Sequence, residues 1–481
     1  MKSSEFVSYD GIGLAQLIRN KEVSGDEVIQ ASIDAISRIN PQINAVIEFW
    51  IGEVAPNADK LSPLYGAPFL IKDLAITMNG KRNELGSQLA QGMIINDDST
   101  LMSLYKKAGL ATLGRTTTSE FAISTTTEAR FTGPTLNPWN PDFNVGGSTG
   151  GSAAAVAAGM VPLAHATDGG GSIRVPAAVN GLFGLKPTRG RVSSGPFQDE
   201  VWSGLLAHLG VSRTVRDSAA LLDAISIPAV GEPYYTASPE KSFLSAVSES
   251  PGKLKIGLVI DPPTGEKTES SISAALQKTA QLLSTLGHEI EVVQLDTGVS
   301  WEAFVFANAQ FWNVNTAAWI DNVAAITGRL VNEENLEAAT IAAYQYGKKI
   351  SGIDILKAIS TRNIVSRKLG GYFEKYDILM TPTIAKLPLK IGEYNKVQND
   401  VDGLGWINHV FSQSPFTALA NISGLPSMSV PAGFDSNTNL PIGVMFTAGF
   451  GLDAKLFSLA GQLENAAPWG HLSPQIWAGN E

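Results

Sequence analysis

The sequence predicts an α/β fold that is built around one large β-sheet. In the second half of the chain, a strand pattern at residues 254–260 is followed by apolar residues at helical spacing over 272–286 and by a second strand pattern at 290–293. This order indicates a β-α-β unit, which is typical of a largely parallel sheet. Later strands of the same sheet are expected at 378–380, 427–430 and 442–446, and a helix is expected over 453–463.

Length and composition are those of a large globular protein. The 481 residues allow two or three domains, and 44% of them are apolar. The absence of cysteine excludes disulfides, thiolate metal ligands and a cysteine nucleophile. The formal net charge of −10 argues against nucleic acid or an anionic membrane as a partner. With no signal-peptide run and no window long enough to span a membrane, a cytoplasmic location is expected.

Residues 1–60 are predicted to form an N-terminal helical arm. Asp10 is a suitable N-cap for a first helix. A second helix is expected to begin with a capping box formed by Ser24 and Glu27, in which each side chain satisfies a backbone N–H group at the helix start. Pro41 is expected to end that helix.

Two glycine- and serine-rich loops, at residues 146–152 and 169–172, flank an apolar stretch. That stretch, residues 153–164, is mostly alanine and valine and predicts a buried helix. Glycine lets the backbone come close to a ligand, and successive N–H groups in such turns can bind an anion. A serine at the end of such a turn is well placed to act as an acyl-transfer nucleophile, because neighbouring N–H groups can hold the oxyanion.

A flexible linker and a phosphate-binding loop are the alternative interpretations of these loops. Gly/Ser-rich linkers are common, but a linker would not enclose a compact apolar helix or lead into the core-like sequence at residues 181–188. A P-loop requires Gly-Lys-Ser/Thr after its glycines, and neither loop has a lysine there. An acyl-transfer site is therefore favoured.

Three motifs resemble those of the amidase signature family. Residues 147–152 and 168–176 are similar to the two halves of the signature, and residues 71–73 are similar to the motif of the catalytic lysine. The resemblance extends over nearly the whole chain. It implies a large mixed β-sheet covered on both faces by helices, in an amidase domain over 61–475. The signature core would span about 64–200 and a variable, substrate-shaping region about 300–400.

The resemblance also implies the residues of a serine amidohydrolase that needs no cofactor. Ser172 corresponds to the nucleophile, Ser148 to the second serine, which follows a non-proline cis peptide, and Lys72 to the base. The backbone N–H groups of Gly169, Gly170, Gly171 and Ser172 are the expected oxyanion donors. Burial without a carboxylate partner would lower the pKa of Lys72 from its usual value near ~10.4. Strand alternation would point the neighbouring Asp73 away.

A Ser-His-Asp triad is the competing arrangement. Each of the five histidines lies outside any recognisable motif, and His165 is expected to be a core residue. Asp168 and Arg174 flank the nucleophile loop and are interpreted as a pair that shapes the turn, with no part in proton transfer.

The substrate is expected to be a small-molecule amide. Aromatic and asparagine residues are concentrated over 301–345, and apolar walls with a few polar groups suit a small-molecule cleft. Ile123, Thr149 and Trp312 are the expected substrate-binding residues. The stretches at 137–140 and 467–469 resemble the branch of the family that hydrolyses cyclic nylon oligomers and related xenobiotic amides.

Two other functions and one assembly are retained. The chain resembles the glutaminase subunit of tRNA-dependent amidotransferases as well, and copurification with partner subunits would favour that function. An idle binding protein with the same fold is disfavoured because it would not need a lysine and two serines together. A homodimer is an assembly that the sequence allows.

We expect chelators to leave the activity unchanged. The chain has no cysteine and no histidine cluster that would hold a catalytic metal. The measurement is amide hydrolysis before and after dialysis against EDTA. Loss of activity that zinc restores would contradict this expectation.

Overall fold

A mixed eleven-stranded β-sheet lies at the centre of the computed structural model, which describes residues 1–196, 198 and 200–480. A separate antiparallel pair is formed by two short strands, β3 and β4. In chain order the strands are β1 (Val46–Phe49), β2 (Pro68–Lys72), β3 (Lys81–Arg82), β4 (Ile94–Ile95), β5 (Ala111–Thr116), β6 (Leu163–Asp168), β7 (Phe183–Lys186), β8 (Ala207–Ser212), β9 (Lys255–Leu258), β10 (Glu289–Val292), β11 (Ile378–Pro382), β12 (Ser427–Phe434) and β13 (Pro441–Ala448).

Strand order in the large sheet is β1-β5-β2-β6-β8-β7-β12-β13-β11-β9-β10. Parallel pairing joins β2 to β5 and β6, and joins β9 to β10 and β11. All pairings from β6 across to β11 are antiparallel. The β-α-β unit and the large mixed sheet implied by the family resemblance are therefore confirmed, but the largely parallel sheet that the β-α-β unit alone suggested is wrong. The short connection between β12 and β13 shows why, since a tight turn can join only antiparallel neighbours.

Helices cover this sheet on both faces. Every residue of β2, β6 and β13 is buried, and successive strand side chains point to opposite faces, so both faces must be packed against other elements. The helices are α1 (Ser3–Phe6), α2 (Gly11–Arg19), α3 (Gly25–Ile43), α4 (Thr100–Lys107), α5 (Gly150–Ala157), α6 (Arg174–Asn180), α7 (Val215–Ile225), α8 (Phe243–Val247), α9 (Ser270–Thr285), α10 (Trp301–Thr327), α11 (Ala338–Gly347), α12 (Gly352–Tyr372), α13 (Gly403–Gln413), α14 (Ala418–Ser423) and α15 (Asp453–Ala466).

The helix starts predicted near the N-terminus are confirmed, but the predicted end of α3 is wrong. Asp10 caps α2, and Ser24 and Glu27 form the capping box of α3. Pro41 lies inside the last turn of α3, which continues to Ile43. Proline lacks one N–H and therefore removes one hydrogen bond of the helix, and only two helical residues follow it. Asn44, with φ 51°, then terminates the helix in the left-handed region.

The predicted helix over 153–164 is shorter and begins earlier than expected. Helix α5 starts at Gly150 and ends at Ala157, and β6 already begins at Leu163. Gly159 adopts φ +78°, and the N–H of Met160 donates to the carbonyl of Ala155 at 2.9 Å. This glycine-based C-cap stops the helix even though the sequence remains apolar.

A second apolar core lies under a separate layer formed mainly by helices α10 to α14. Helix α10 packs against α11, α12 and α13. The aromatic segment predicted to shape the substrate site thus belongs to a helical layer beside the sheet. Within the described residues, no helix is both long and apolar enough to cross a membrane.

Candidate active site

Lys72 is the last residue of β2 and is completely buried. Its Nζ atom is hydrogen-bonded to three hydroxyl oxygens: Ser148 Oγ at 2.7 Å, Thr149 Oγ1 at 3.1 Å and Thr167 Oγ1 at 2.8 Å. Thr167 is in β6, the parallel neighbour of β2. Burial lowers the pKa of Lys72 well below its ordinary value, and the charge of Asp168 opposes this only in part. The site therefore favours a neutral amine.

Ser148 approaches Lys72 from the first glycine loop, and the Gly147–Ser148 peptide is cis. The carbonyl of Ser148 accepts a hydrogen bond from Thr118 Oγ1 at 2.9 Å. A side chain at position 147 would collide with the backbone of Thr126, so only glycine fits there. The loop is thus held close to β5 and the chain that follows it.

Ser172 ends the second glycine loop, between β6 and α6, and is 4% exposed. Gly171 adopts φ +139°, which favours glycine, and its N–H donates to Asp168 Oδ1 at 2.7 Å. Thr417 Oγ1 donates to the carbonyl of Gly170 at 2.6 Å. Among the described residues, the geometry joins Lys72 to Ser148 by a hydrogen bond but does not join Ser148 to Ser172.

Asp168 and Arg174 form the predicted pair that shapes the turn, and both are fully buried. Arg174 donates from Nε to Asp168 Oδ2 and from Nη2 to Oδ1, both at 2.9 Å. Asn421 Nδ2 also donates to Oδ1 at 2.9 Å. Burial alone would raise the pKa of Asp168, but Arg174 and Asn421 outweigh it and lower that pKa to about 2. The loop before Ser172 is therefore held by hydrogen bonds to the ionised carboxylate of Asp168.

Asp73 points away from the amine of Lys72, as predicted. Its Oδ1 atom accepts from Arg115 Nη1 and from the N–H of Glu84, both at 2.8 Å. Burial raises the pKa of Asp73 to about 6, and Arg115 acts against that rise. Arg115 therefore compensates the charge of the carboxyl next to Lys72.

The contacts of His165 do not resemble those of a triad histidine. Its Nδ1 accepts from the backbone N–H of Lys72 at 3.4 Å, and its Nε2 lies 3.3 Å from His208 Nδ1. Burial lowers the pKa of both rings, that of His165 well below its usual value and that of His208 to about 3. Both rings are neutral and buried, and His165 is a core residue as expected.

The expected substrate residues lie in different surroundings. Thr149 contacts Lys72, and Trp312 packs against Gly170. Ile123 lies beyond a segment with positive φ, and its carbonyl accepts from Trp406 Nε1 at 2.7 Å. The structure adds four residues that sequence reasoning missed: Thr167, Trp202, Thr417 and Asn421. Of these four, only Thr167 could have been found from the sequence, because its hydroxyl group lies directly before the second signature motif at residues 168–176.

The mixed sheet and the buried lysine are the features that the resemblance to the amidase signature family implies. The family model described as Amidase matches residues 27–457, which is most of the chain. The chain therefore belongs to the amidase family and is a hydrolase of that family.

Relatives and solved structures agree with this assignment. The 6-aminohexanoate-cyclic-dimer hydrolase of Paenarthrobacter ureafaciens is 33% identical over 480 residues, covering 97% of this chain and 96% of the relative. The structure of a 6-aminohexanoate cyclic dimer hydrolase complexed with substrate superposes with a TM-score of 0.92 at 31% identity, covering 98% of this chain and 99% of the other. A bacterial aryl acylamidase of the amidase signature family gives 0.84 at 26% identity, covering 96% of both chains.

Proposed function

We propose that the protein hydrolyses a carboxylic amide through an acyl-enzyme on Ser172, with Ser148 as proton relay and Lys72 as general base. The observation that carries this proposal is the environment of Lys72. The amine is completely buried, and its three hydrogen bonds all reach hydroxyl groups. A neutral lysine can accept a proton at neutral pH, whereas an ordinary one cannot.

The hydrogen bonds around a neutral Lys72 limit which hydroxyl group can face its lone pair. Thr149 Oγ1 donates its proton to the carbonyl of Thr167 at 3.2 Å, so it can only accept from Lys72. We assign the second N–H to Thr167 Oγ1 at 2.8 Å, because Ser148 Oγ makes the shorter contact with the amine. A neutral amine has two N–H groups, so its lone pair is left for the Ser148 hydroxyl at 2.7 Å. This arrangement suits Ser148 for passing a proton to Lys72.

The reaction begins when Ser172 Oγ attacks the amide carbon. Its proton moves to Ser148 as Ser148 gives its own to Lys72. When the tetrahedral intermediate collapses, the C–N bond breaks and Lys72 passes a proton through Ser148 to the leaving nitrogen, which departs as the amine. Water then attacks the acyl-enzyme and gives a proton to Lys72 by the same route. The ester bond breaks, the carboxylic acid leaves, and the proton returns to Ser172 Oγ. The missing Ser148–Ser172 hydrogen bond is compatible with this route, because catalytic hydrogen bonds often tighten only when substrate binds.

The oxyanion donors are proposed to be the N–H groups of Gly169, Gly170 and Ser172. The N–H of Gly171 belonged to the expected set, but it already donates to Asp168. Its role is instead to hold the loop in shape. Thr417 fixes the same peptide from the other side through the Gly170 carbonyl. Preorganised donors of this kind stabilise charge that develops in the transition state.

Cyclic or other xenobiotic amides are the proposed substrates, bound by Ile123, Thr149 and Trp312. The support is the relative that acts on a cyclic dimer of 6-aminohexanoate and covers nearly the whole chain. Its identity of 33% supports the type of bond and leaves the acyl and amine parts to a panel of cyclic and linear amides.

A fluorophosphonate probe is expected to form a covalent adduct at Ser172, because the preceding loop can hold the phosphonyl oxygen as it would an oxyanion. Peptide mass mapping of the labelled protein gives the site. Ser172→Ala is the control and should remain unlabelled while losing amide hydrolysis. Labelling at another serine would contradict the assignment of the nucleophile.

A further inference from the structure

Two tryptophan rings cover the glycine loop that precedes Ser172. A Cβ atom on Gly169 would lie 2.7 Å from Trp202, and one on Gly170 would lie 2.5 Å from Trp312. The two rings meet with centroids 4.3 Å apart, and Trp312 also packs edge-on against Phe411 on α13. The rings form a wall directly beside the proposed oxyanion donors.

The indole N–H groups of Trp202 and Trp312 are buried and have no hydrogen-bond partner among the described residues. Other buried tryptophans have one: Trp139 donates to the Asn180 carbonyl at 2.9 Å, and Trp469 donates to the Arg213 carbonyl at 3.0 Å. Buried indole donors are normally paired, and leaving one unpaired is unfavourable. Two unpaired donors in adjoining rings indicate an acceptor that the described residues do not supply.

Trp202 adopts a left-handed backbone conformation that contacts from other elements hold in place. Its φ is 52°, and Ser203 follows with φ 55°; for a bulky residue this left-handed region is unfavourable. Contacts from the helical layer hold this turn, since Asn315 Nδ2 donates to Ser203 Oγ and Arg362 Nη1 donates to the Ser203 carbonyl, both at 2.9 Å. Helices α10 and α12 thus fix the ring over the loop.

The face of α10 that carries Trp312 has further unpaired polar atoms. Asn308 and Thr316 lie one turn before and one turn after Trp312, and side chains four residues apart share a helix face. Asn308 Oδ1 and Thr316 Oγ1 are buried and unpaired within the described chain. Trp312 is therefore part of a polar stripe within an apolar wall.

We propose that Trp202 and Trp312 form a subsite that binds a second carbonyl group of the substrate. The preferred substrates are then amides whose acyl part carries a further hydrogen-bond acceptor, such as a second amide. An indole N–H can only donate, so its ligand must accept. The donors are uncharged and the surrounding rings are apolar, which suits a neutral carbonyl better than a carboxylate. The subsite rests on the proposed function, because it places the substrate against the loop of Ser172.

The test compares kcat/KM for a linear bis-amide with that for a mono-amide in which a methylene replaces the second carbonyl. The wild-type protein should prefer the bis-amide by about tenfold or more, since a site built to donate hydrogen bonds rejects an analogue that lacks the acceptor. Trp202→Phe and Trp312→Phe keep an aromatic ring and remove the N–H. Each should lower the preference several-fold, and the double variant should nearly remove it.

Trp469→Phe is the matched control, because it loses a paired indole N–H far along the chain and should keep the wild-type preference. Thermal unfolding and fluorophosphonate labelling of Ser172 verify that each variant is folded. The subsite would be overturned if the wild-type ratio of kcat/KM for the bis-amide to that for the mono-amide were near one, or if the double variant kept the wild-type ratio. In either case, amide cleavage and labelling of Ser172 would still support the proposed function. Failure of both cleavage and labelling would overturn the two together.

Discussion

Lys72→Ala is expected to reduce amide hydrolysis by on the order of a thousandfold or more, because loss of the base also removes activation of the nucleophile. The hydrogen bonds of the Lys72 amine reach only hydroxyl groups, and none of these can replace it as a base at neutral pH. Lys72→Arg should not restore activity, since arginine stays protonated. The measurement is kcat/KM on a cleaved amide, with circular dichroism to establish that the variants are folded.

The pH dependence of amide hydrolysis is a second test of Lys72 as the base. Activity requires the neutral amine, so it should rise with pH as Lys72 loses its proton. Burial lowers the pKa of Lys72, which moves this acidic limb far below the range of an ordinary lysine. The limb should disappear in the residual activity of Lys72→Ala. If Lys72→Ala kept nearly full activity and His165→Ala abolished it, a histidine would have to be the base.

Asp168→Asn is expected to lower the free energy of unfolding by about 3–5 kcal/mol, because it leaves the buried Arg174 without its counter-charge. Both side chains are fully buried, and the carboxylate also accepts from the N–H of Gly171. Urea denaturation gives the measurement. Glu249→Gln, which breaks an exposed ion pair with Lys241, is the matched control and should have little effect. An unfolding free energy for Asp168→Asn equal to that of the wild type would contradict the prediction.

A double variant and a pH titration refine this result. Asp168→Asn combined with Arg174→Met removes both charges, so it should be less destabilised than Asp168→Asn alone. The folded-state pKa of Asp168, about 2, is below the ordinary value. Its contribution to stability should therefore be complete above about pH 4 and decline as the pH falls towards 2.

Local sequence patterns predicted the parts of the structure that local patterns control. The β-α-β unit and the capping box of Ser24 follow from short motifs, whereas the meeting of Lys72 with Ser148, 76 positions apart, was implied by the resemblance to the amidase signature family. The predicted end of α3 and the predicted length of α5 were wrong because a single residue stops each helix through its left-handed backbone conformation. That residue is Asn44 for α3 and Gly159 for α5. Apolar periodicity does not reveal which residue will do so.

The missed site residues depend on contacts between distant parts of the chain. Thr167 reaches Lys72 only because β6 pairs with β2. Thr417 and Asn421 meet the second glycine loop across more than 240 positions of sequence. Trp202 is placed by side chains from α10 and α12. Each of these contacts is a product of topology, and no motif in one segment contains it.

The separate apolar core of the helical layer has a consequence for protein engineering. Lys72, Ser148, Thr167 and Ser172 all come from the first 172 residues, on or beside the sheet, whereas α10 to α13 contribute Trp312, Phe411 and their packing. The reactive groups and the Trp312 side of the wall are thus encoded in different stretches of the gene, with Trp202 between them in the sequence. Exchanging residues 301–372, which end before β11 of the sheet, between relatives is therefore a route to new amide substrates that keeps the proton-transfer groups on their original scaffold.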